Sequence, residues 1–149
     1  MTYIKPEDLA WIAGFVDGEG YIGSPSRGVR ANPLTNPIQV TITNTDPRPI
    51  LFIHSLCGGY LWNTPRKGKW KTAFRLGFAS KKACVFLKTI LPYLRVKREQ
   101  AEIAIALADM QQRRGKRGFV YEDCKEEEKG HVVELRTRLR ALNKRGKED

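Results

Sequence analysis

Hydrophobic and polar residues alternate along two separate stretches of the chain. In residues 38–44, IQVTITN, every second residue is apolar, and the alternation returns in residues 69–78 after the run YLWNT at 60–64. Such alternation is typical of β-strands with one buried face. Residues 65–68, PRKG, carry turn-forming Pro and Gly, so 60–64 and 69–78 are predicted to form a hairpin.

The alternation sorts the strand side chains onto two faces. The apolar face, predicted to lie in the core, contains Ile38, Val40, Ile42, Trp70, Phe74, Leu76 and Phe78. The opposite face contains Gln39, Thr41, Thr43, Lys69, Lys71 and Arg75, with Tyr60 and Trp62 alternating onto it and Arg66 and Lys67 at the hairpin tip. The pattern therefore predicts a sheet with one core face and one basic face.

Five segments have the periodicity and end signals of helices. They are one from Pro6 through Leu9–Val16, one from Asp46-Pro47 to Gly58-Gly59, one capped by Ser80 and stopped at Pro92, one over 98–112, and one within about 119–143 with Val132, Leu135, Leu139 and Leu142 on its apolar stripe. The order αββαββα plus C-terminal helices predicts an α+β fold, with a curved antiparallel four-stranded sheet and helices packed on one face. We expect a single domain over 1–149, with a core of about 5–110 and a helical extension of about 119–143.

Gly18, Gly20 and Gly23 have the G-x-G-x-x-G spacing of dinucleotide-binding loops. That loop needs a strand before the glycines and a helix after them, so that the helix N-terminus faces the phosphate. Here a helix precedes the glycines and the strand-like segment YIGSP follows. The reversed order argues against a nucleotide cofactor.

The charge balance favours a polyanionic partner. Lys and Arg number 27 against 16 Asp and Glu, which gives a net charge of +11. Nucleic acid is the first candidate and an anionic membrane surface a distant second; the alternative is a basic protein with no polyanionic partner. No apolar run reaches the roughly 18–20 residues of a membrane span and no signal-peptide pattern is present, so we expect a soluble intracellular protein, in the cytoplasm or an organelle matrix, with no membrane partner.

Cysteines and histidines offer little for catalysis. Cys57, Cys84 and Cys124 lack C-x-x-C spacing and are predicted to be reduced thiols, mostly in the core. His54 and His131 are far apart in the sequence, with no Cys or His at ligand spacing. Any catalysis must therefore use carboxylates, lysines and metal.

The first helix is apolar on all sides in its second half. Its larger residues lie on one side, whereas Ala10, Ala13 and Gly14 form a stripe of small residues on the other. Small residues let two helices approach to about 8 Å. The chain has no second copy of this pattern, so the partner is predicted to be the same helix of a second subunit, in a two-fold homodimer.

Asp17 and Glu19 stand at the C-terminal end of this helix, where the macrodipole is negative and carbonyl oxygens lack partners. Acids there are explained by a divalent cation such as Mg²⁺, held by carboxylates and the carbonyl of Gly18. The alternative is that Asp17 bonds the facing helix and Glu19 is only solvated. In a symmetric dimer two such carboxylates would lie side by side, an arrangement suited to phosphoryl transfer.

Residues 12–20, IAGFVDGEG, resemble the LAGLIDADG signature, with Ile12 for the first Leu and Glu19 for the second Asp. The predicted element order is also similar to that of LAGLIDADG homing endonucleases of the single-motif, homodimeric kind. The resemblance implies a site-specific double-strand DNA endonuclease, encoded by an intron or an intein, that cuts a nearly palindromic target. It also implies Mg²⁺ as cofactor, with Mn²⁺ as an alternative and Ca²⁺ as a non-catalytic substitute.

The resemblance assigns roles residue by residue. Glu19 is implied to bind the metal as the catalytic carboxylate, Gly18 to offer its carbonyl, and Asp17 to support the dimer's helix junction. Asn44 and Arg48 would order water near the scissile phosphate, and Lys97, in the P-x-L-x-x-K pattern of residues 92–97, would stabilise developing charge. Each also has a structural alternative: a strand-end turn for Asn44, a solvated first helical turn for Arg48 and an ordinary basic cluster for Lys97.

The basic face of the sheet is the predicted DNA-binding surface, because a curved antiparallel ribbon fits the major groove. Its Gln and Arg residues can read base edges, and its Lys residues can neutralise phosphates. Tyr60 and Trp62 either contact bases or pack within the hairpin, and Arg27 and Arg30 extend the footprint from a loop. Two alternatives stay open: an RNA-binding maturase that helps its intron splice, and a catalytically dead DNA-binding regulator.

Overall fold

A computed structural model of the chain describes residues 3–24, 36–112 and 126–144. The elements follow the predicted order. They are α1 (Pro6–Glu19), β1 (Gly20–Gly23), β2 (Gln39–Asn44), α2 (Pro47–Cys57), β3 (Tyr60–Thr64), β4 (Ala73–Ala79), α3 (Ser80–Ile90), a 3₁₀ turn (Leu91–Tyr93), α4 (Arg98–Gln112) and α5 (Glu126–Asn143). The αββαββα order with two additional helices is therefore confirmed.

The four strands form one antiparallel sheet. β1 pairs with β2, β2 with β4 and β4 with β3, which gives the strand order β1-β2-β4-β3. Val40 lies opposite Phe78 and Ile42 opposite Leu76, and none of the four is more than 4% exposed. These residues form the predicted apolar face, on which α1, α2 and α3 pack. Helices α4 and α5 contact the sheet at its β1 edge.

The hairpin differs from its prediction at the start of β4. The last cross-strand pair joins Thr64 to Ala73, and β4 begins there rather than at residue 69. Pro65 has no backbone N–H to continue the ladder, so the strands separate at that point. Lys69 and Lys71 consequently lie in an exposed connection, and Trp70, predicted for the core, is 73% exposed.

The two predicted helix caps have different outcomes. The Asp46 carboxylate accepts a hydrogen bond from the Arg48 amide at 2.9 Å, with Pro47 at the first helical position, as predicted for the start of α2. Ser80 does not cap α3. Its φ is 52°, its side chain makes no capping hydrogen bond, and its amide donates to the carbonyl of Ile38, the residue just before β2. Continuity with the sheet, rather than side-chain capping, fixes where α3 starts.

Helix α5 packs against α4 and β1 at one edge of the sheet. Val132, Leu135 and Leu139 are buried as predicted, but Leu142 is 38% exposed. Arg136 is buried instead, because its guanidinium finds partners beside β1. Residues 119–125 of the predicted extension lie outside the described residues.

Two of the three cysteines are described. Cys84 is buried and Cys57 is half-buried, and both are free thiols. Burial raises the pKa of both thiols, which keeps them protonated. Cys124 lies outside the described residues.

Candidate nucleic-acid interface and active site

A cleft of about 850 Å³ opens on the polar face of the sheet, between the end of α1 and the end of α5. It brings together acidic, basic and amide side chains from six elements. The lining residues are Glu19, Gly20, Tyr21, Gln39, Thr41, Thr43, Asn44, Thr45, Arg66, Arg75, Lys97, Gln100, Leu142, Asn143 and Lys144. Sequence reasoning had selected most of the residues contributed by α1, β2 and β4.

Strand register sets the rows of side chains on this face. Thr43 lies opposite Arg75, which lies opposite Trp62. In the neighbouring row Thr41 and Tyr60 flank Gly77. Threonine, arginine and aromatic side chains are thus presented side by side, as a surface that reads base edges requires.

The rings of Trp62 and Tyr60 pack against each other on β3, and Trp62 is the less exposed of the two. A Cβ added at Gly77 would lie 2.7 Å from the Trp62 ring, so the glycine leaves the space that the indole covers. Tyr60 is 72% exposed, with its ring centroid 5.6 Å from that of Trp62. Of the two aromatic residues, Tyr60 therefore offers the larger free surface to a ligand.

The end of α1 is held by residues far away in the sequence. The Asp17 carboxylate accepts hydrogen bonds from the amides of Arg95 and Lys97, both at 2.9 Å. In return the Lys97 ammonium donates to the carbonyl oxygens of Val16 and Asp17, at 3.1 and 2.7 Å. The negative helix end thus receives a cation from the chain itself, and Asp17 is stabilised by two backbone donors.

This clamp positions Glu19 at the rim of the cleft. Glu19 is exposed and lines the cleft together with Lys97. Directly after it, Gly20 turns the chain into β1; a Cβ there would lie 2.7 Å from the carbonyl oxygen of Val16. Gly20 is required by this close approach, whereas a Cβ at Gly18 would meet no atom within 4 Å. Gly18 is exposed, but it is not among the residues that line the cleft.

The other two predicted catalytic residues have structural partners. Asn44 lines the cleft, and its Oδ1 accepts a hydrogen bond from the Asp46 amide at 2.8 Å, which is the strand-end turn weighed as its alternative. Arg48 does not line the cleft. Its guanidinium pairs with the Asp46 carboxylate, with Nη2 2.7 Å from Oδ2, and is 88% exposed. The structure thus brings Glu19, Asn44 and Lys97 together but leaves Arg48 outside.

The Asp46–Arg48 pair dominates the electrostatics at the start of α2. Hydrogen bonds from the side chain and the amide of Arg48 lower the pKa of Asp46 to about 2. The same carboxylate raises the pKa of Arg48. Since the charge of Arg48 is matched by its own neighbour, the pair contributes little net field to the cleft.

The donor set suits a hard divalent cation shared with other ligands. Within the described residues no three His, Cys, Asp or Glu side chains cluster as a metal site. Mg²⁺ is, however, usually bound by one or two carboxylates together with water and substrate phosphates. The exposed Glu19 carboxylate and the exposed Gly18 next to it suit the protein ligands of such a site, in which water and substrate phosphates supply the others.

The outer surface of α1 corrects part of the predicted subunit interface. Ala13 is 0% exposed and belongs to the core, and Asp17 is engaged within its own chain. Ala10 and Gly14 are exposed, and a Cβ at Gly14 would meet no atom within 4 Å. The difference arises because α1 packs on the sheet through Ile12, Ala13 and Val16 together.

Exposed apolar side chains adjoin this stripe. Trp11 is 45% exposed and stacks on Phe15, and its ring also meets Phe52 of α2 edge-on, both at 5.3 Å between centroids. Leu51 and Phe52 are 53% and 39% exposed. We define Ala10, Trp11, Gly14, Leu51 and Phe52 as the α1–α2 patch. Contiguous exposed apolar surface of this kind marks an interaction site.

Sequence reasoning missed the part of the cleft that comes from β1, α4 and the end of α5. Tyr21, Gln100, Leu142, Asn143 and Lys144 line it, and Asn143 donates to the carbonyl of Ile22 at 2.7 Å. Asn143 is a helix-end amide with no local pattern to reveal this contact.

Lys67, Lys69 and Lys71 are exposed around the hairpin tip, while Arg27 and Arg30 lie outside the described residues. No helix within the described ranges is long and apolar enough to cross a membrane.

No protein-family model and no curated protein sequence matches the chain. Solved structures do. The homing endonuclease I-CvuI in complex with its target, in the presence of 2 mM Ca, is 21% identical with a TM-score of 0.66, over 95% of this chain and 85% of that one. The archaeal intron-encoded homing endonuclease I-Vdi141I complexed with DNA is 17% identical with a TM-score of 0.64, over 96% and 88%.

A third similar structure is longer. The LAGLIDADG meganuclease I-AabMI bound to uncleaved DNA is 18% identical with a TM-score of 0.60, and the match covers 88% of this chain but 44% of that chain. The α+β architecture predicted from the sequence is therefore the fold of LAGLIDADG homing endonucleases, and the likeness seen in the motif at residues 12–20 extends to the fold of the chain.

Proposed function

We propose that the chain is a divalent-metal-dependent, site-specific DNA endonuclease that acts as a homodimer. The observation that carries this proposal is the cleft itself, where Glu19 and Lys97 stand at one edge of a polar, basic sheet face. A carboxylate and an ammonium beside a surface of Gln, Thr and Arg side chains suit hydrolysis of a phosphodiester next to recognised bases. The solved structures of the same fold in complex with DNA support this assignment.

Glu19 and the carbonyl of Gly18 are the ligands we assign to the cation, with Mg²⁺ as the expected ion, Mn²⁺ as an alternative and Ca²⁺ as a non-catalytic substitute. When bound, such a cation acts as a Lewis acid on the phosphodiester and lowers the pKa of a bound water. Lys97 holds the end of α1 that carries both ligands and adds positive charge beside the scissile phosphate. Asn44 lines the same cleft from the end of β2.

DNA binding is assigned to the polar sheet face. Arg75, Thr43 and Gln39 lie on β2 and β4, where they can reach base edges in the major groove. The exposed lysines and Arg66 around the hairpin tip are placed to contact phosphates. Arg27 and Arg30 remain predicted contacts from the loop between β1 and β2.

A homodimer would use the α1–α2 patch, in which Ala10 and Gly14 allow close approach of a second α1. A second subunit would place its own Glu19 beside the first. Each site would then cut one strand of a nearly palindromic target.

The test is cleavage of a duplex selected for binding in Ca²⁺ from a randomised DNA library, then assayed with Mg²⁺ and with EDTA. Wild-type protein should cut at one position with Mg²⁺ only, and sedimentation should show a dimer. Glu19→Gln should lower cleavage by orders of magnitude and retain binding in Ca²⁺, because only the charge that holds the cation is removed. Glu7→Gln, in the first turn of α1, is the control and should cut normally.

Each alternative gives a distinct outcome in the same experiment. A maturase would bind its intron RNA more tightly than any selected duplex and would not depend on Glu19. A regulator would bind one duplex specifically and leave it intact with Mg²⁺. Cleavage by Glu19→Gln at the wild-type rate would overturn the catalytic assignment.

A further inference from the structure

A second, more enclosed cavity of about 80 Å³ adjoins the cleft, between β1 and the C-terminal half of α5. Tyr21 and Asn143 line both spaces, so the two are neighbours. The remaining lining residues are Ser24, Asn36, Arg136, Leu139 and Arg140. Since roughly 10–15 Å³ is enough for one water molecule, the cavity can hold a group of several atoms.

Arg136 is the buried cation of this cavity. It is 8% exposed, and it donates to the hydroxyl of Ser24 and, at 2.6 Å, to the carbonyl of Asn36. Its Nε is buried and has no hydrogen-bond partner. A buried donor without a partner costs free energy, more so on a charged group. Arg136 thus places a buried positive charge, only partly matched by hydrogen bonds, at the wall of the cavity.

The charge of Arg136 has no matching anion at the cavity. Burial and the nearby Arg140, one turn further along α5, lower the pKa of Arg136 to about 10. None of the described residues that line the cavity is a carboxylate, and residues 20–45 contain no Asp or Glu. Two neighbouring guanidinium groups that line one cavity without a carboxylate suit an oxyanion, because arginine binds phosphate oxygens with paired hydrogen bonds.

We propose that this cavity is a phosphate-binding site formed by Arg136 and Arg140, and that a backbone phosphate of bound DNA occupies it. The assignment of DNA as the source of the phosphate rests on the proposed function, whereas the phosphate-binding site itself does not. The cavity shares two lining residues with the cleft, so a strand lying across the sheet face passes its opening. Helix α5 then contributes directly to DNA binding by fixing the position of the backbone beside β1.

The test compares two single-charge variants on one helix. Arg140→Gln removes the more exposed guanidinium of the cavity. Arg138→Gln is the matched control, because Arg138 is exposed and pairs with Glu99 away from the cavity. Arg140→Lys retains the charge and checks that any loss is not misfolding.

The first measurement uses inorganic phosphate as the probe. We record the melting temperature with increasing phosphate, with the ionic strength held constant by NaCl. Wild-type, Arg138→Gln and Arg140→Lys proteins should gain melting temperature, since a ligand that binds only the folded state stabilises it. Arg140→Gln should lose this gain. Equal responses of all four proteins would overturn the site.

The second measurement uses the selected duplex. Between roughly 50 and 200 mM NaCl, Arg140→Gln should lower the slope of log K against log salt by about 0.9, the value for one phosphate contact. Arg138→Gln should leave the slope unchanged. A phosphate-dependent melting shift with an unchanged DNA slope would overturn the DNA backbone as the occupant. If wild-type protein binds no duplex, the proposed function fails, while the phosphate titration still decides whether the site exists.

Discussion

The end of α1 and the start of α2 each combine an acid with a base, but the charges are used differently. At the end of α1, the Asp17 carboxylate accepts hydrogen bonds from backbone amides, and the Lys97 ammonium donates to backbone carbonyls. At the start of α2, the carboxylate of Asp46 pairs with the guanidinium of Arg48. Lys97 thus stabilises a helix end through carbonyl dipoles, whereas Arg48 forms an ion pair with a carboxylate of its own helix start.

This comparison distinguishes two residues for which sequence analysis predicted similar roles. Lys97 and Arg48 were both predicted to act on charge near the scissile phosphate. Lys97 lines the cleft and is half-buried, while Arg48 is 88% exposed and lies outside the cleft. The experiments below test whether this difference in geometry is also a difference in function.

The largest effect is expected from Lys97→Met. The variant leaves the last carbonyls of α1 without their donor, which should cost about 1–2 kcal/mol of the free energy of unfolding, given the partial exposure of the site. Cleavage should fall roughly 10²-fold or more, as for loss of one donor to the transition state. Urea unfolding and single-turnover cleavage measure the two effects. Lys97→Arg should recover stability better than cleavage; normal cleavage by Lys97→Met would remove Lys97 from the site.

Arg48→Met should have a much smaller effect. The Asp46 carboxylate still caps α2 through the backbone amide of residue 48, and an exposed ion pair contributes little to stability. We expect cleavage of the selected duplex at close to the wild-type rate and an unchanged melting temperature. A loss of cleavage comparable with that of Lys97→Met would show that Arg48 turns toward the substrate in the complex, and the distinction between the two bases would fail.

The smallest effect is a pH dependence at the start of α2. Because the pKa of Asp46 is lowered to about 2 in the folded chain, its contribution to stability is present above pH 4 and is lost as the pH falls from about 4 toward 2. Asp46→Asn keeps a cap but loses the charge. The urea midpoints of wild type and variant should therefore differ slightly at pH 5, and the difference should shrink steadily as the pH falls from about 4 to 2. A constant difference across this range would mean that the pair does not form in solution.

Local sequence patterns were sufficient for much of the fold. Alternation in residues 38–44 identified β2 with the correct buried face, and Asp46-Pro47 marked the start of α2, because both signals act over a few residues. Trp70 was assigned to the core because the alternation runs on past Ala73, although the ladder had ended at Thr64 and Ala73. The length of a ladder depends on both strands, and the pattern of one strand does not show where its partner stops pairing.

The candidate site was predicted only in part, because local patterns do not report contacts between segments that are distant in the sequence. Asp17 and Glu19 were singled out because acids are unfavourable at a helix C-terminus, and the divalent cation inferred from them stays a prediction. The cation found in the chain is Lys97, which the motif of residues 92–97 placed near the site but not on the carbonyls of α1. Arg136 and Asn143 were missed, since their partners Ser24, Asn36 and Ile22 are more than 90 residues away in sequence.

The contact between Asp17 and Lys97 also has a consequence for synthesis of the chain. The two residues are 80 positions apart. At ribosomal speeds of about 5–20 residues per second, α1 emerges roughly 4–16 s before the segment that completes its C-terminal end. During that interval Glu19 is attached to a fraying helix, because terminal turns without partners are the least stable. Glu19 is thus synthesised early, but the contacts that hold the end of α1 beside it form only after Lys97 has been synthesised.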